Sequence, residues 1–205
     1  SMTVAVLGFV VFTFVRWTDR IARLGRLGAT VEQVEMATSA ALRRRRKQPA
    51  LGGVTRTTQD LTAGVAVFFA QGIGGRVVVN ALPGTFAMPG KPLGFVLSGG
   101  ALPEADIRQV VSAFTIGRDR VFDHDPRLGF IVLSEIAGRA LSPAVNDPGT
   151  AIGIVGTLVR LFTLWTEQSE ALAAEPVEFD RVEAPLLLMD DLFDDAFTAI
   201  ARDGA

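Results

Sequence analysis

The residues best suited to chemistry cluster in RALSPAVNDPGTA, Arg139 to Ala151. Arg139, Ser142, Asn146, Asp147 and Thr150 bring a guanidinium, two hydroxyls, an amide and a carboxylate into one short connection. A helix begins at Asn146-Asp147-Pro148, and helix starts carry unpaired N–H groups and positive potential that hold anions. Asp147 opposes an anion there unless its carboxylate is spent as the cap. Capping and turn formation account for Ser-Pro and Asn-Asp-Pro; a ligand or ion site is the competing reading. No nucleophile with a partner base is evident, so catalysis ranks last. Upstream, Arg118 and Arg120 join Glu135 and Arg139 as charges among apolar residues. Buried charges must be paired, which predicts an internal arginine–carboxylate network, with an anion site as the alternative. Asp123-His124-Asp125 reads as a metal cluster only in print. Alternate side chains of an extended segment point apart, and Asp125 before Pro126 suits a helix cap.

The elements that must position these residues follow from periodicity. Leu102–Ser112 predicts a helix opened by Pro103, with Ile107, Val110, Val111 and Phe114 inward. Ala113–Pro126 predicts a strand or extended segment. A second helix runs from Pro126 to about Ala140, burying Leu128, Ile131, Val132 and Ile136. The third, from Asn146, is apolar on nearly every face and belongs in a bundle centre or an oligomer interface. Arg160 interrupts it too early for a bilayer span. A short strand (Val177–Val182) and an acidic helix (Asp190–Ala201) close the chain.

The middle has β character. Val65–Phe69 and Val77–Val79 are strand candidates, and Pro83-Gly84 and Pro89-Gly90 are turns in which Pro sets the first central position and Gly supplies positive φ. This stretch resembles the turn of lipoyl- and biotinyl-type barrels. Lys91 does not match a modification site, so a structural module is expected and no cofactor is implied.

Residues 1–2 read as a tag remnant. Thr3–Val15 is apolar and uncharged but shorter than the roughly 20 residues of a span. It reads as the end of a truncated transmembrane helix, ahead of a core or an interfacial helix. Trp17 and Arg16, Arg20, Arg23 and Arg26 follow, an aromatic and basic flank that predicts a cytoplasmic location for what comes next. The basic run Arg43–Lys47 reads as a solvated helix end, or as a contact for anionic lipid. Between them Ile21, Leu24, Gly28, Val31, Glu35, Thr38 and Leu42 recur at steps of three and four, a helical stripe.

Composition agrees with a membrane setting. Of 205 residues 49% are hydrophobic, and the mean hydropathy is +0.35. A net charge of −2 gives no global attraction for nucleic acid. With no cysteine and one histidine, disulfides, cysteine–zinc sites and histidine-rich metal sites are excluded.

IGRDRVFDHDPRLGF followed by RALSPAVNDPGTA resembles the bacterial predicted membrane proteins grouped as domain of unknown function 2254. That family has "IGRxRxxxxDPxFG" before "RALSPxxNDPxTA". PGTF…PGKPL and the C-terminal D-x-x-F-x-x-AF-x-x-I also match. The resemblance implies N-terminal transmembrane helices and a cytoplasmic domain at the bacterial inner membrane, and brings no activity. Three departures stand out: most of the family's membrane helices are absent, a strand and short helix expected near Gly72–Gly74 are missing, and His124 replaces a glutamine.

The expected fold is α+β: a long N-terminal helix within 3–48, a small lipoyl-like partial β-barrel over 49–100, and a helical bundle with a short extra strand over 101–205. The expected partners are the lipid bilayer and further copies of the chain, with a small ligand or ion as another candidate. A gating, sensing or scaffold role is expected before catalysis. The alternative is a membrane-associated hydrolase or an anion sensor at Arg118, Arg120, Arg139, Ser142, Asn146, Asp147 and Thr150.

Overall fold

The computed structural model describes residues 2–55, 75–168 and 174–204. The helices are α1 (Met2–Lys47), α2 (Glu104–Val111), α3 (Pro126–Leu141), α4 (Pro148–Thr166) and α5 (Met189–Asp203); the strands are β1 (Gly53–Thr55), β2 (Gly75–Val79), β3 (Gly94–Ser98) and β4 (Phe179–Ala184). The protein is mixed α+β.

The main core lies among the C-terminal part of α1 and helices α3, α4 and α5. Leu42, Phe130, Leu133, Ala137, Ile154, Leu158, Leu161, Leu192 and Ala196 are its buried apolar centre. Val31 and Glu35 are half-buried and Thr38 and Leu42 fully buried, so the stripe expected on α1 is present there. Gly28 is exposed, and the side chains of Ile21 and Leu24 lie outside the described set. Helix α1 approaches α3 closely at Thr38 and Gly129, where a Cβ on the glycine would overlap the threonine side chain. Thr38 Oγ1 donates to its own helix, to the Val34 carbonyl at 2.6 Å, so the buried hydroxyl is satisfied.

Residue numbers rise together along α1 and α4. Glu35 pairs with Arg160, while Arg46 reaches Leu164 and Glu167 at the far end. Helix α3 runs the other way, since Thr38 meets Gly129 but Arg45 meets His124. Helix α5 follows α3: Arg127 pairs with Asp195, and Gly138 adjoins Ala199 and Asp203.

The sheet has the order β1-β4-β2-β3. Strand β4 is parallel to both β1 and β2, and β2 pairs antiparallel with β3. It is an open mixed sheet among the described residues, so no closed barrel is seen. Val77 and Val79 face Val110 of α2 and, with Ala50 and Ala184, form a second small core. The strand expected at Val65–Phe69 and the junction at Gly72–Gly74 lie outside the described residues. Both Pro-Gly turns form as expected. Gly84 and Gly90 have φ of 87° and 83°, and Thr85 and Lys91 N–H donate back to Leu82 and Met88.

Two expectations need correction. Residues 113–125 form no strand; turns closed by hydrogen bonds from Phe114 to Val111 and from Asp125 to Phe122 bound the stretch at its two ends. Helix α4 is not central in the bundle, the first of the two places expected for it, but is buried on one face only. Ala151, Ile154, Leu158 and Leu161 turn inward, while Ile152 is 72% and Val159 56% exposed. By length and composition α4 could cross a membrane.

Candidate functional site

The connection between α3 and α4 closes on itself. Helix α3 ends at Leu141, and the N–H of Ser142 bonds back to the carbonyls of Gly138 and Arg139. Ser142 Oγ donates to the Arg139 carbonyl at 2.7 Å. The N–H of Asn146 reaches the Ser142 carbonyl at 2.8 Å, and that of Asp147 reaches the Ala140 carbonyl at 2.8 Å. Asp147 is the cap of α4. One carboxylate oxygen accepts from the Thr150 N–H at 3.3 Å and the other from Thr150 Oγ1 at 2.7 Å.

Asn146 has the other of the two parts expected of Asn-Asp-Pro. It does not cap; it turns the chain, at a φ of 46°. Asparagine tolerates that left-handed conformation better than most residues. Because Asp147 already fills the anion-holding position at the start of α4, a second negative charge there would meet repulsion. The chain thus uses Ser142, Asn146, Asp147 and Thr150 to build the turn.

The predicted arginine network is corrected too. Arg118, Glu135 and Arg139 are exposed rather than buried and paired. Residues 115–121 run over the surface, and Glu135 and Arg139 sit one helical turn apart on the open side of α3. Only Arg120 of this set meets a buried carboxylate, with Nε donating to Asp125 Oδ2 at 2.6 Å. Asp125 stands at the cap position of α3, yet its side chain makes no capping bond, because Arg120 holds it. No group of three metal-ligating side chains occurs among the described residues.

The structure places its charged centre elsewhere, where the end of α1 meets the start of α3. Arg45 is only 5% exposed and Asp125 2%. Arg45 Nη2 donates to the His124 carbonyl at 3.1 Å, and Arg44 Nη1 donates to that of Asp123. Arg46 turns the other way. Its Nη1 donates to the Leu164 carbonyl at 2.6 Å and its Nη2 to the Glu167 carbonyl, placing a cation on the negative end of α4. Gly84 presses on this cluster. A Cβ there would overlap the Asp125 carboxylate and approach Arg120 Nη2 to 2.8 Å. Burial pulls Arg45 below the usual arginine range, opposed by the attraction of Asp125. Arg45 Nη1 and Asp125 Oδ1 have no hydrogen-bond partner among the described residues.

The run Arg43–Lys47 is therefore not simply a solvated helix end. A signal for this was in the sequence: one further step of three along the α1 stripe, past Leu42, falls on Arg45.

Beside the cluster is a pocket of about 430 Å³ lined by Arg45, Arg46, Pro49, Trp165, Ala174, Leu186 and Leu187. None of Arg118, Arg120, Arg139, Ser142, Asn146, Asp147 or Thr150 lines it.

The apolar, exposed Phe9–Phe14 section of α1, joined to a folded α+β body, marks the class: the predicted membrane proteins. The chain belongs to the domain of unknown function 2254 family (DUF2254, predicted membrane protein), which matches it over residues 1–205. No curated protein and no solved structure matches it.

Proposed function

We propose that the chain is the cytoplasmic portion of an oligomeric inner-membrane protein, and that it serves as a gating, sensing or scaffold domain rather than a catalyst. The carrying observation is the division of labour along α1. Phe9, Val10, Val11, Phe12 and Phe14 are 53–72% exposed, while Val34, Ala41 and Leu42 of the same helix are buried in the body. Exposed apolar side chains on successive positions cover every face of a helix, which suits lipid and not a protein core. The arginines at 16, 20, 23 and 26 fit the cytoplasmic side.

Against catalysis, Ser142, Asp147 and Thr150 of the signature turn are engaged in its own hydrogen bonds. For oligomerisation, the outer face of α4 offers Ile152, Val155 and Val159, apolar and uncovered. Helix α4 is read as packed on the body, because Arg160 forks onto Glu35 with two bonds of 2.7 Å.

The test is extraction. The chain expressed in bacteria should stay with membranes through an alkaline carbonate wash, and Phe9→Ser/Phe12→Ser should release it in folded form. Release of the unsubstituted chain by carbonate would overturn the membrane reading. Light scattering of the detergent-solubilised chain should give a multiple of the 21.8 kDa protomer; a monomer would overturn the oligomer.

A further inference from the structure

Helix α4 carries a seam on the side turned away from the core. Gly149, Ile152, Gly156, Val159, Thr163 and Thr166 recur at alternating steps of three and four, the spacing of a coiled-coil stripe. All are exposed except Gly156, which is half-buried. Ile154, Leu158 and Leu161, on the opposite side, fill the core. One heptad position holds Gly149, Gly156 and Thr163, and the other the β-branched Ile152, Val159 and Thr166. Narrow and wide layers thus alternate along the seam. Its hydroxyls are satisfied within α4: Thr163 Oγ1 donates to the Val159 carbonyl at 2.8 Å and Thr166 Oγ1 to that of Phe162 at 3.1 Å. Covering the seam therefore strands no side-chain polar group.

The protomer gives Gly156 no role. Glycine is a poor helix former. Gly156 lies inside α4 without a positive φ, and an added Cβ would meet nothing nearer than Arg160 Nη1 at 3.8 Å. A second helix gives it one, because a glycine lets another backbone approach closely. Lipid gives it none, since an acyl chain packs as well on a larger apolar side chain.

Charge decides which helix. The seam bears no charged side chain, and Arg160 at its flank is turned onto Glu35 of its own protomer with two bonds of 2.7 Å. A charged partner finds no counter-charge there. The outer sides of α3 and α5 expose Glu135, Arg139, Asp190 and Asp194, which the seam would desolvate without pairing. The α4 of a second copy is uncharged and offers the same alternation of layers. Copies held in one bilayer by α1 point the same way, and α4 runs parallel to α1. Their α4 helices then meet in parallel about a two-fold axis along the membrane normal.

We propose that α4 pairs with the α4 of a second copy, in parallel and in register, through the seam from Gly149 to Thr166. The pairing rests on the oligomeric membrane reading and gives it a surface and a symmetry.

Since the chain has no cysteine, single cysteines report the contact. In membranes of bacteria making the full-length chain, mild oxidation of Ile152→Cys and of Val159→Cys should give disulfide-linked dimers at both positions. Facing residues of a parallel pair come within bridging reach, roughly 4.4–6.8 Å between Cα atoms. Thr198→Cys, exposed on α5, should stay monomeric. Gly156→Leu, added to Val159→Cys, should slow bridging at least about tenfold by overpacking the contact, with the melting temperature undiminished. The proposal is overturned if neither seam position bridges, or if only one does, as an antiparallel crossing would give. It is equally overturned if Thr198→Cys bridges as fast, if the linked band has a mass other than the dimer's, or if Gly156→Leu, still folded, bridges as before. No bridging while light scattering still gives a multiple of the 21.8 kDa protomer would move the oligomer interface elsewhere; a monomer would remove the oligomer as well.

Discussion

Two glycines with nearly the same backbone separate conformational cost from packing cost. Gly84 and Gly90 both sit at positive φ, where a side chain costs about 1–2 kcal/mol. At Gly90 an added Cβ would meet nothing within 4 Å, while at Gly84 it would run into Asp125 and Arg120. Gly90→Ala should lose about 1 kcal/mol, and Gly84→Ala clearly more, because it also breaks the Arg120–Asp125 contact beside Arg45. Equal losses in denaturant unfolding would mean that the turn does not press on the cluster. The signature turn allows a second comparison. Asp147→Ala removes the cap of α4 and should cost about 1 kcal/mol. Asn146→Gly keeps the left-handed backbone and should be nearly neutral. If the two losses came out in the reverse order, the assignment of the cap to Asp147 would be wrong.

Among the elements, α1 ties the body together through its neighbours. Its Glu35 pairs with Arg160 of α4, and the guanidinium bonded to it holds the Glu35 carboxyl below the ordinary glutamate value. A carboxylate with a depressed folded value stabilises the fold above its unfolded pKa, and that contribution disappears as the pH falls through the folded value. The contact between α1 and α4 should therefore weaken in acid below about pH 4.3, the ordinary glutamate pKa. The pair is partly solvent-exposed, so the effect is at most ~1 kcal/mol. Glu35→Gln should lower stability at neutral pH by that amount and remove this part of the acid dependence; an unchanged acid limb would assign the dependence to other carboxylates. The extents of α3 and α4 were legible in the sequence because a proline opens each: Pro126 and Pro148 stand where expected. Their faces were less so: α3 buries Phe130, Leu133 and Ala137 while Leu128, Ile131, Val132 and Ile136 are only half-buried, and Ile107 and Val111 of α2 are exposed. Residues 113–125 were not legible. Ile116, Val121 and Phe122 are composed like a strand, but a strand needs a neighbour to pair with, and none of the described strands pairs with this stretch. Arg45 was missed for a related reason. Its charge suggested solvent, whereas its position on the stripe of α1 decided its burial. The turn residues were found, but their division of labour depends on a backbone angle at Asn146 that composition does not encode.

For the whole molecule, helix directions locate the signature turn relative to the apolar section of α1. Helices α1 and α4 run the same way and are level at Glu35 and Arg160. Asp147 lies about 20 Å along α4 from Arg160, at ~1.5 Å per residue. The same distance back along α1 reaches the neighbourhood of Ala22. Val15, the last residue of the apolar run, is only ~10 Å further. The polar layer of a bilayer is roughly 5–8 Å deep on each side, so if Thr3–Val15 lies in lipid, the connection between α3 and α4 sits close to the headgroups. Its exposed Val145, at 48%, would then face them. The Pro-Gly loop bearing Phe86, 83% exposed, lies at the opposite end, beside Asp125 and Arg120. A depth measurement separates the two ends. The chain has no cysteine, so Val145→Cys and Phe86→Cys each provide a single labelling position. With the labelled chain in vesicles whose lipids carry a headgroup quencher, fluorescence at position 145 should be strongly quenched and that at position 86 hardly affected. Equal quenching would mean that the body lies flat on the membrane, and quenching of position 86 alone would invert the arrangement. The first result would end the distinction between the two ends, and the second would remove the signature turn from the lipid face without disturbing its internal hydrogen bonds.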